Sequence, residues 1–222
     1  MDRHVLKRWV KALFCDLMIV ELEGVENVPA SGGCILTTNH LSRMDTPLLM
    51  IAVNRDDMCA LVADKYRLNP LFSLIVRSTN SIWINREIAD HTAMRAALAH
   101  LRTGGLLGIA PEGTRSQVGT MLEAKSGTVL LADRADVPIV PVGITGTEDC
   151  MAKLGRFQRP TVRARFGKPY HLAPIDRATR EESTRRNTDE VMCRIAALIP
   201  EKYHGFYQGH PRIQEILKEE RA

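Results

Sequence analysis

The chain has 222 residues, 45% of them hydrophobic and 25% charged, with a formal net charge of +4 at pH 7. That length fits one domain with a sizeable core, and those proportions exclude a disordered or membrane-embedded chain. The charge is too small by itself to argue for a nucleic-acid partner, and none is expected.

The first residues, MDRHVLKRWVKALFCDLMIVELEG, do not read as a signal peptide, because cations interrupt every apolar run and no small-residue cleavage site follows. Val5, Leu6, Trp9, Val10, Leu13, Phe14, Leu17 and Met18 recur at helical spacing, with Arg3, Lys7, Arg8 and Lys11 off the stripe. The spacing predicts an amphipathic helix within residues 1–23, followed by a main domain over 24–222. Such a stripe either packs on the domain or lies in a membrane interface with its cations on anionic headgroups. A second apolar segment, Leu68–Val76, offers another anchor. Nowhere do the ~18–20 uninterrupted apolar residues of a membrane span occur, so contact with a membrane is expected from one side only.

From residue 34 onward short apolar runs alternate with amphipathic ones. Strands are expected at Cys34–Thr38, Cys59–Ala63, Ser81–Asn85, Leu106–Ala110, Ile139–Ile144 and Thr161–Phe166. Helices are expected at Thr46–Val53, Pro70–Val76, Asp90–Leu101, Gly127–Arg134 and Thr188–Leu198, with Asp176–Thr188 a solvated helix or a loop. The alternation predicts a single-domain α/β sandwich with a central, largely parallel sheet flanked by helices. Cys15, Cys34, Cys59, Cys150 and Cys193 form no CxxC pair and no His/Cys cluster. They are expected to pack as small apolar side chains in a reducing compartment, with no metal site.

Four blocks stand out. In Asn39-His40-Leu41-Ser42-Arg43-Met44-Asp45 an apolar strand delivers a His at its carboxyl end, where open α/β sheets bind ligands. An Asp on the same loop can bond one imidazole nitrogen and leave the other free to take a proton from an alcohol. The plainer alternative makes Asp45 an N-cap and His40 a loop residue. Ala110-Pro111-Glu112-Gly113-Thr114-Arg115-Ser116 is a strand-end turn whose glycine admits close approach and whose Arg suits phosphate, or else a solvated polar turn. Ile82-Trp83-Ile84-Asn85-Arg86 is a third strand ending in a cation. The fourth, Val137-Pro138-Ile139-Val140-Pro141-Val142-Gly143, reads as a buried packing strand. Ser42 lacks the surroundings of a nucleophile elbow and is expected to bond within its loop. His4, His91, His100, His171, His204 and His210 take no role and are expected on the surface or on helices.

The order NHLSRMD, IWINR, PEGTRS, VPIVPVG resembles the glycerolipid acyltransferase family typified by 1-acyl-glycerol-3-phosphate acyltransferase. Its members carry NHxxxxD, FIxR, PEGTR and VPxxPV blocks in that order. The blocks span Asn39–Gly143, with weaker likeness from Gly24 to about Pro169. The chain departs from the pattern at Asn80, Trp83, Asn85 and Ala110. The resemblance implies that His40 is the general base and Asp45 its orienting partner. It also implies that Arg86, Glu112, Gly113, Thr114 and Arg115 shape the pocket for the acceptor's glycerol phosphate, with Asn39 and Lys125, where the family often has a basic residue, as further substrate-binding positions. The activity implied is transfer of a fatty acyl group from an acyl-CoA or acyl-ACP thioester to the hydroxyl of a lysophospholipid, on the cytoplasmic face of a membrane, as a peripheral protein. Acyl carrier protein is then a possible partner, and no cofactor beyond the thioester co-substrate is expected. Two alternatives stay open: another acceptor, such as glycerol 3-phosphate or a lyso-aminolipid, or a non-catalytic lipid- or phosphate-binding module.

Overall fold

The structure, a computed structural model, describes residues 3–220. Among the described residues, eight α-helices, α1 Arg3–Leu17, α2 Asp45–Ala52, α3 Pro70–Ser78, α4 His91–Arg102, α5 Gly127–Ala135, α6 Cys150–Leu154, α7 Arg180–Ala196 and α8 Pro211–Glu219, accompany a seven-stranded sheet. The strands are β1 Ile19–Glu23, β2 Cys34–Thr38, β3 Cys59–Ala63, β4 Ile82–Ile84, β5 Leu106–Ile109, β6 Ile139–Thr145 and β7 Thr161–Phe166. Their order is β1-β7-β6-β2-β5-β3-β4. From β6 to β4 every pair is parallel; β7 runs antiparallel to β6 and carries β1 parallel to itself.

Alternation along buried strands builds a core on each face of this sheet. On β2, Ile35 joins Ala97, Leu101, Val129, Leu131 and Met192 beneath α4, α5 and α7. Its neighbours Cys34 and Leu36 join Phe14, Leu48, Val142 and Phe166 beneath α1 and α2. Every residue of β2 is buried, which is why CILTT reads as a continuous run rather than an alternating one. Cys34, Cys59, Cys150 and Cys193 are buried, while Cys15 is exposed.

The amino-terminal helix is amphipathic on two apolar faces. Phe14 and Met18 are buried against the domain, and the Lys7 ammonium donates to the Val53 carbonyl at 2.6 Å. The opposite ridge faces outward: Trp9 is 72% exposed and Leu13 56%, with Val5 and Leu17 on the same line. The packing reading therefore holds for the Phe14–Met18 side, and the other side leaves apolar residues exposed. The helix stops at Leu17, and residues 19–23, grouped with it by the sequence, instead add an edge strand to the sheet. In the 68–76 segment Leu68 and Leu74 are exposed and Val76 is buried; the side chains of Leu71, Phe72 and Ile75 lie outside the described set. Among the described residues no helix is long and apolar enough to cross a membrane.

Candidate active site

The parallel strands present their carboxyl ends along one edge, and four of them deliver the residues of interest there. His40 follows β2, Arg86 follows β4, Glu112 follows β5, and Thr147 follows β6. In the sheet β2 lies between β6 and β5, so His40 is flanked by the loops that carry Thr147 and Glu112.

His40 Nδ1 lies 2.8 Å from Asp45 Oδ2. The imidazole side chain is 16% exposed and the carboxylate 2%. Asp45 is the first residue of α2 but does not cap it. Its Oδ2 accepts from the backbone amides of Leu41 and Ser42, both at 2.8 Å, and its Oδ1 accepts from the Thr147 hydroxyl at 2.6 Å. The carboxylate thus folds its own loop around the imidazole, and the capping alternative does not describe it. An ionised carboxylate only accepts, so Nδ1 carries the proton and Nε2 presents a lone pair. Ser42 Oγ accepts from the Met44 amide at 3.1 Å, the loop-internal bond expected of it.

Two neighbours assigned to the acceptor by resemblance are spent on the protein instead. Asn39 is fully buried, and its side-chain amide donates to the Ile144 carbonyl and accepts from the Ile144 amide, each at 2.8 Å. It works as one more rung between the ends of β2 and β6. Glu112 is 2% exposed; one oxygen accepts from the His40 amide at 2.9 Å and the other from the Leu122 amide at 3.0 Å. Burial pushes this carboxyl up to about 7, against the pull of the Leu122 and His40 amides. The His40 carbonyl accepts from the Ser116 amide at 2.8 Å. The PEGTR turn is thereby tied to both sides of the His40 peptide.

Beside that turn a cavity of about 900 Å³ opens between α4 and α5. Arg86, Gly113 and Lys125 line it together with the apolar Leu61, Ile84, Met94, Leu98, Ile109 and Leu131. Burial lowers the pKa of Arg86, partly offset by Tyr66 nearby, and no described residue pairs with the guanidinium. A desolvated cation without a counter-ion attracts an anionic ligand. Gly113 sits at φ +68, and a Cβ there would lie 3.1 Å from the Lys125 stem; glycine lets Lys125 cross the turn. Asp90 caps α4 through the Ala93 amide at 2.9 Å and also accepts from the Asn85 amide at 3.0 Å, which fixes the turn bearing Arg86. Thr114 and Arg115 do not line this cavity; Thr114 is exposed and Arg115 half-buried.

Sequence reasoning missed Thr147. It stands 102 positions from Asp45 in a stretch, Gly146-Thr147-Glu148, that matches no block, so only the fold brings the two together. It also misplaced His204, which is buried and bonds the carbonyls of Ala196 and Ile199. His91 lines the cavity.

The site is thus a mainly parallel α/β sheet with a His–carboxylate pair at its carboxyl edge and, beside the Glu112–Gly113 turn, a largely apolar cavity that Arg86 and Lys125 also line. The chain belongs to the acyltransferase family, whose model matches residues 19–145. It is 28% identical over 132 residues to a 1-acyl-sn-glycerol-3-phosphate acyltransferase of Borreliella burgdorferi, covering 59% of this chain and 52% of that one. The chain thus spans about half the length of that relative. It is 22% identical over 179 residues to the protein of that name from Bacillus subtilis, covering 81% of this chain and 87% of the other. Among solved structures it is similar to the 1-acyl-sn-glycerophosphate acyltransferase PlsC of Thermotoga maritima. The TM-score is 0.66 and the identity 27%, over 85% of this chain and 79% of that one.

Proposed function

We propose that the protein transfers a fatty acyl group from an acyl-CoA or acyl-ACP thioester to the free hydroxyl of 1-acyl-glycerol 3-phosphate, giving phosphatidic acid. The observation that carries this reading is the His40–Asp45 pair with Nε2 free, joined through the Glu112 carboxylate to the turn that borders a largely apolar cavity lined also by Arg86 and Lys125. Nε2 takes the acceptor's hydroxyl proton while its oxygen attacks the thioester carbonyl, and the imidazolium is stabilised by Asp45. As the tetrahedral intermediate collapses, the C–S bond breaks and the imidazolium returns the proton to the thiolate. The products are an ester and a thiol; the step balances without a covalent acyl-enzyme or a cofactor. Arg86 and Lys125 hold the acceptor phosphate, which orients the hydroxyl, and the cavity houses an acyl chain. The outward ridge Val5, Trp9, Leu13 and Leu17 seats the protein peripherally on the cytoplasmic face of the membrane that supplies the acceptor.

The test is a panel of acceptors (1-acyl-glycerol 3-phosphate, glycerol 3-phosphate and a lyso-aminolipid), each offered with CoA and ACP thioesters, using His40→Ala as control. Phosphatidic acid formation that disappears in His40→Ala is the expected result. Turnover of another acceptor alone would move the specificity. No transfer to any acceptor would leave a non-catalytic binding module.

A further inference from the structure

We propose that Thr147 is a positioning residue for acyl transfer: its hydroxyl holds one oxygen of Asp45 so that the other stays on the His40 imidazole. This rests on the reading of His40 as the base. Asp45 and Thr147 are each only 1% exposed, so water does not complete their hydrogen bonding. Asp45 Oδ2 already receives three N–H groups, from His40, Leu41 and Ser42. Oδ1 receives one donor, the Thr147 hydroxyl at 2.6 Å. Deprived of it, a buried carboxylate oxygen is left unsatisfied. The group can relieve that by rotating to share its amides or by taking a proton, and either change loosens the imidazole or turns its acceptor into a donor.

The hydroxyl is held independently of the loop it serves. Asn39 clamps Ile144 to the end of β2 by two bonds of 2.8 Å, three residues before Thr147. Gly146, at φ +81, turns the chain so tightly against β7 that a Cβ there would lie 2.2 Å from the Thr161 carbonyl oxygen. Thr147 therefore arrives from β6 on a fixed turn. Its position is set by the sheet and not by the catalytic loop, as a positioning group requires.

The experiment compares Thr147→Val, which keeps the branched shape without the hydroxyl, with Thr147→Ser, which keeps the hydroxyl alone. Steady-state kinetics with a thioester and lysophosphatidate are measured beside the proton NMR signal of the His40 Nδ1–H. Losing a hydrogen bond to a charged group should lower kcat about tenfold or more in Thr147→Val, with both Michaelis constants within about twofold of wild type. The Nδ1–H signal should shift or broaden, and Thr147→Ser should restore both readouts. A Thr147→Val kcat within twofold of wild type, a loss confined to a Michaelis constant, or a Thr147→Ser variant as impaired as Thr147→Val would each overturn the proposal. Thr147→Ala carries the same expectation should Thr147→Val not fold. If wild-type protein transfers no acyl group, the functional reading fails, while the NMR comparison still decides whether Thr147 positions the pair.

Discussion

Replacing Glu112 by Gln isolates one buried proton in this fold. Burial raises the carboxyl from its ordinary 4.5 to about 7, against the pull of the Leu122 and His40 amides and with some help from the charge of Asp45. The folded value lies above the unfolded one, so the fold binds this proton more tightly than the open chain does. The resulting contribution to stability is fully present below pH 4.5 and is lost as pH rises through about 7. At ~1.4 kcal/mol per decade of proton affinity, wild type should forfeit ~3 kcal/mol across that window. Glu112→Gln does not titrate and should forfeit none of it. The amide still accepts from one backbone N–H but meets the other with a donor, a cost of about 1–3 kcal/mol at every pH. Urea unfolding at pH 5, 6.5 and 8 should therefore find the variant clearly weaker at pH 5, with the gap closing or reversing by pH 8. Two stability curves that stay parallel over this range would refute the assignment of a raised carboxyl at Glu112.

Arg86→Lys should raise the acceptor's Michaelis constant about tenfold, because a point ammonium cannot reproduce a bidentate fork, while Arg115→Lys, outside the cavity, stays near wild type; the reverse ranking would move the phosphate. Leu98→Trp, two turns along α4 from its catalytic end, should exclude long-chain thioesters while sparing short ones, and an unchanged chain-length profile would place the acyl group elsewhere. Trp9→Glu combined with Leu13→Glu should abolish sedimentation with anionic vesicles at little cost in melting temperature, since both side chains are largely exposed. Phe14→Glu, by burying a charge, should destabilise the fold.

The parts of the fold legible in the sequence are those where burial is nearly continuous or strictly alternating. CILTT, CALVA and TVRARF occupy the residues expected of them as strands. The missed strand, Ile19-Val20-Glu21-Leu22-Glu23, is an edge with only two half-buried positions, so it carries no strong apolar pattern. The first half of α7, Arg180–Asn187, is mostly solvated and declares its helix only where Val191, Met192 and Ile195 meet the core. Asn80, which departs from the family's usual glycine, adopts φ 52; Asn is among the side chains that tolerate this left-handed region. A motif fixes a residue's chemistry without fixing its aim: Asn39 and Glu112 lie in two family blocks, yet both face backbone.

That division has a physical basis. A general base must stay within a few tenths of an ångström of its target, and no side chain on a loop is that rigid by itself. His40 gains rigidity from three adjacent strands: Asn39 ties its own strand to β6, Thr147 brings a hydroxyl from β6 to its carboxylate, and Glu112 brings a carboxylate from β5 to its amide. Each brace is buried and hydrogen-bonded to protein partners. Two groups keep unused bonding capacity: Nε2 of His40, at the carboxyl end of β2, and the guanidinium of Arg86, which lines the cavity. Buried polar side chains near a catalytic base therefore divide by the partner at the far end of their hydrogen bonds. On the proposed mechanism, those that end on backbone or on Asp45 hold the base still, and those that end on nothing face the acceptor.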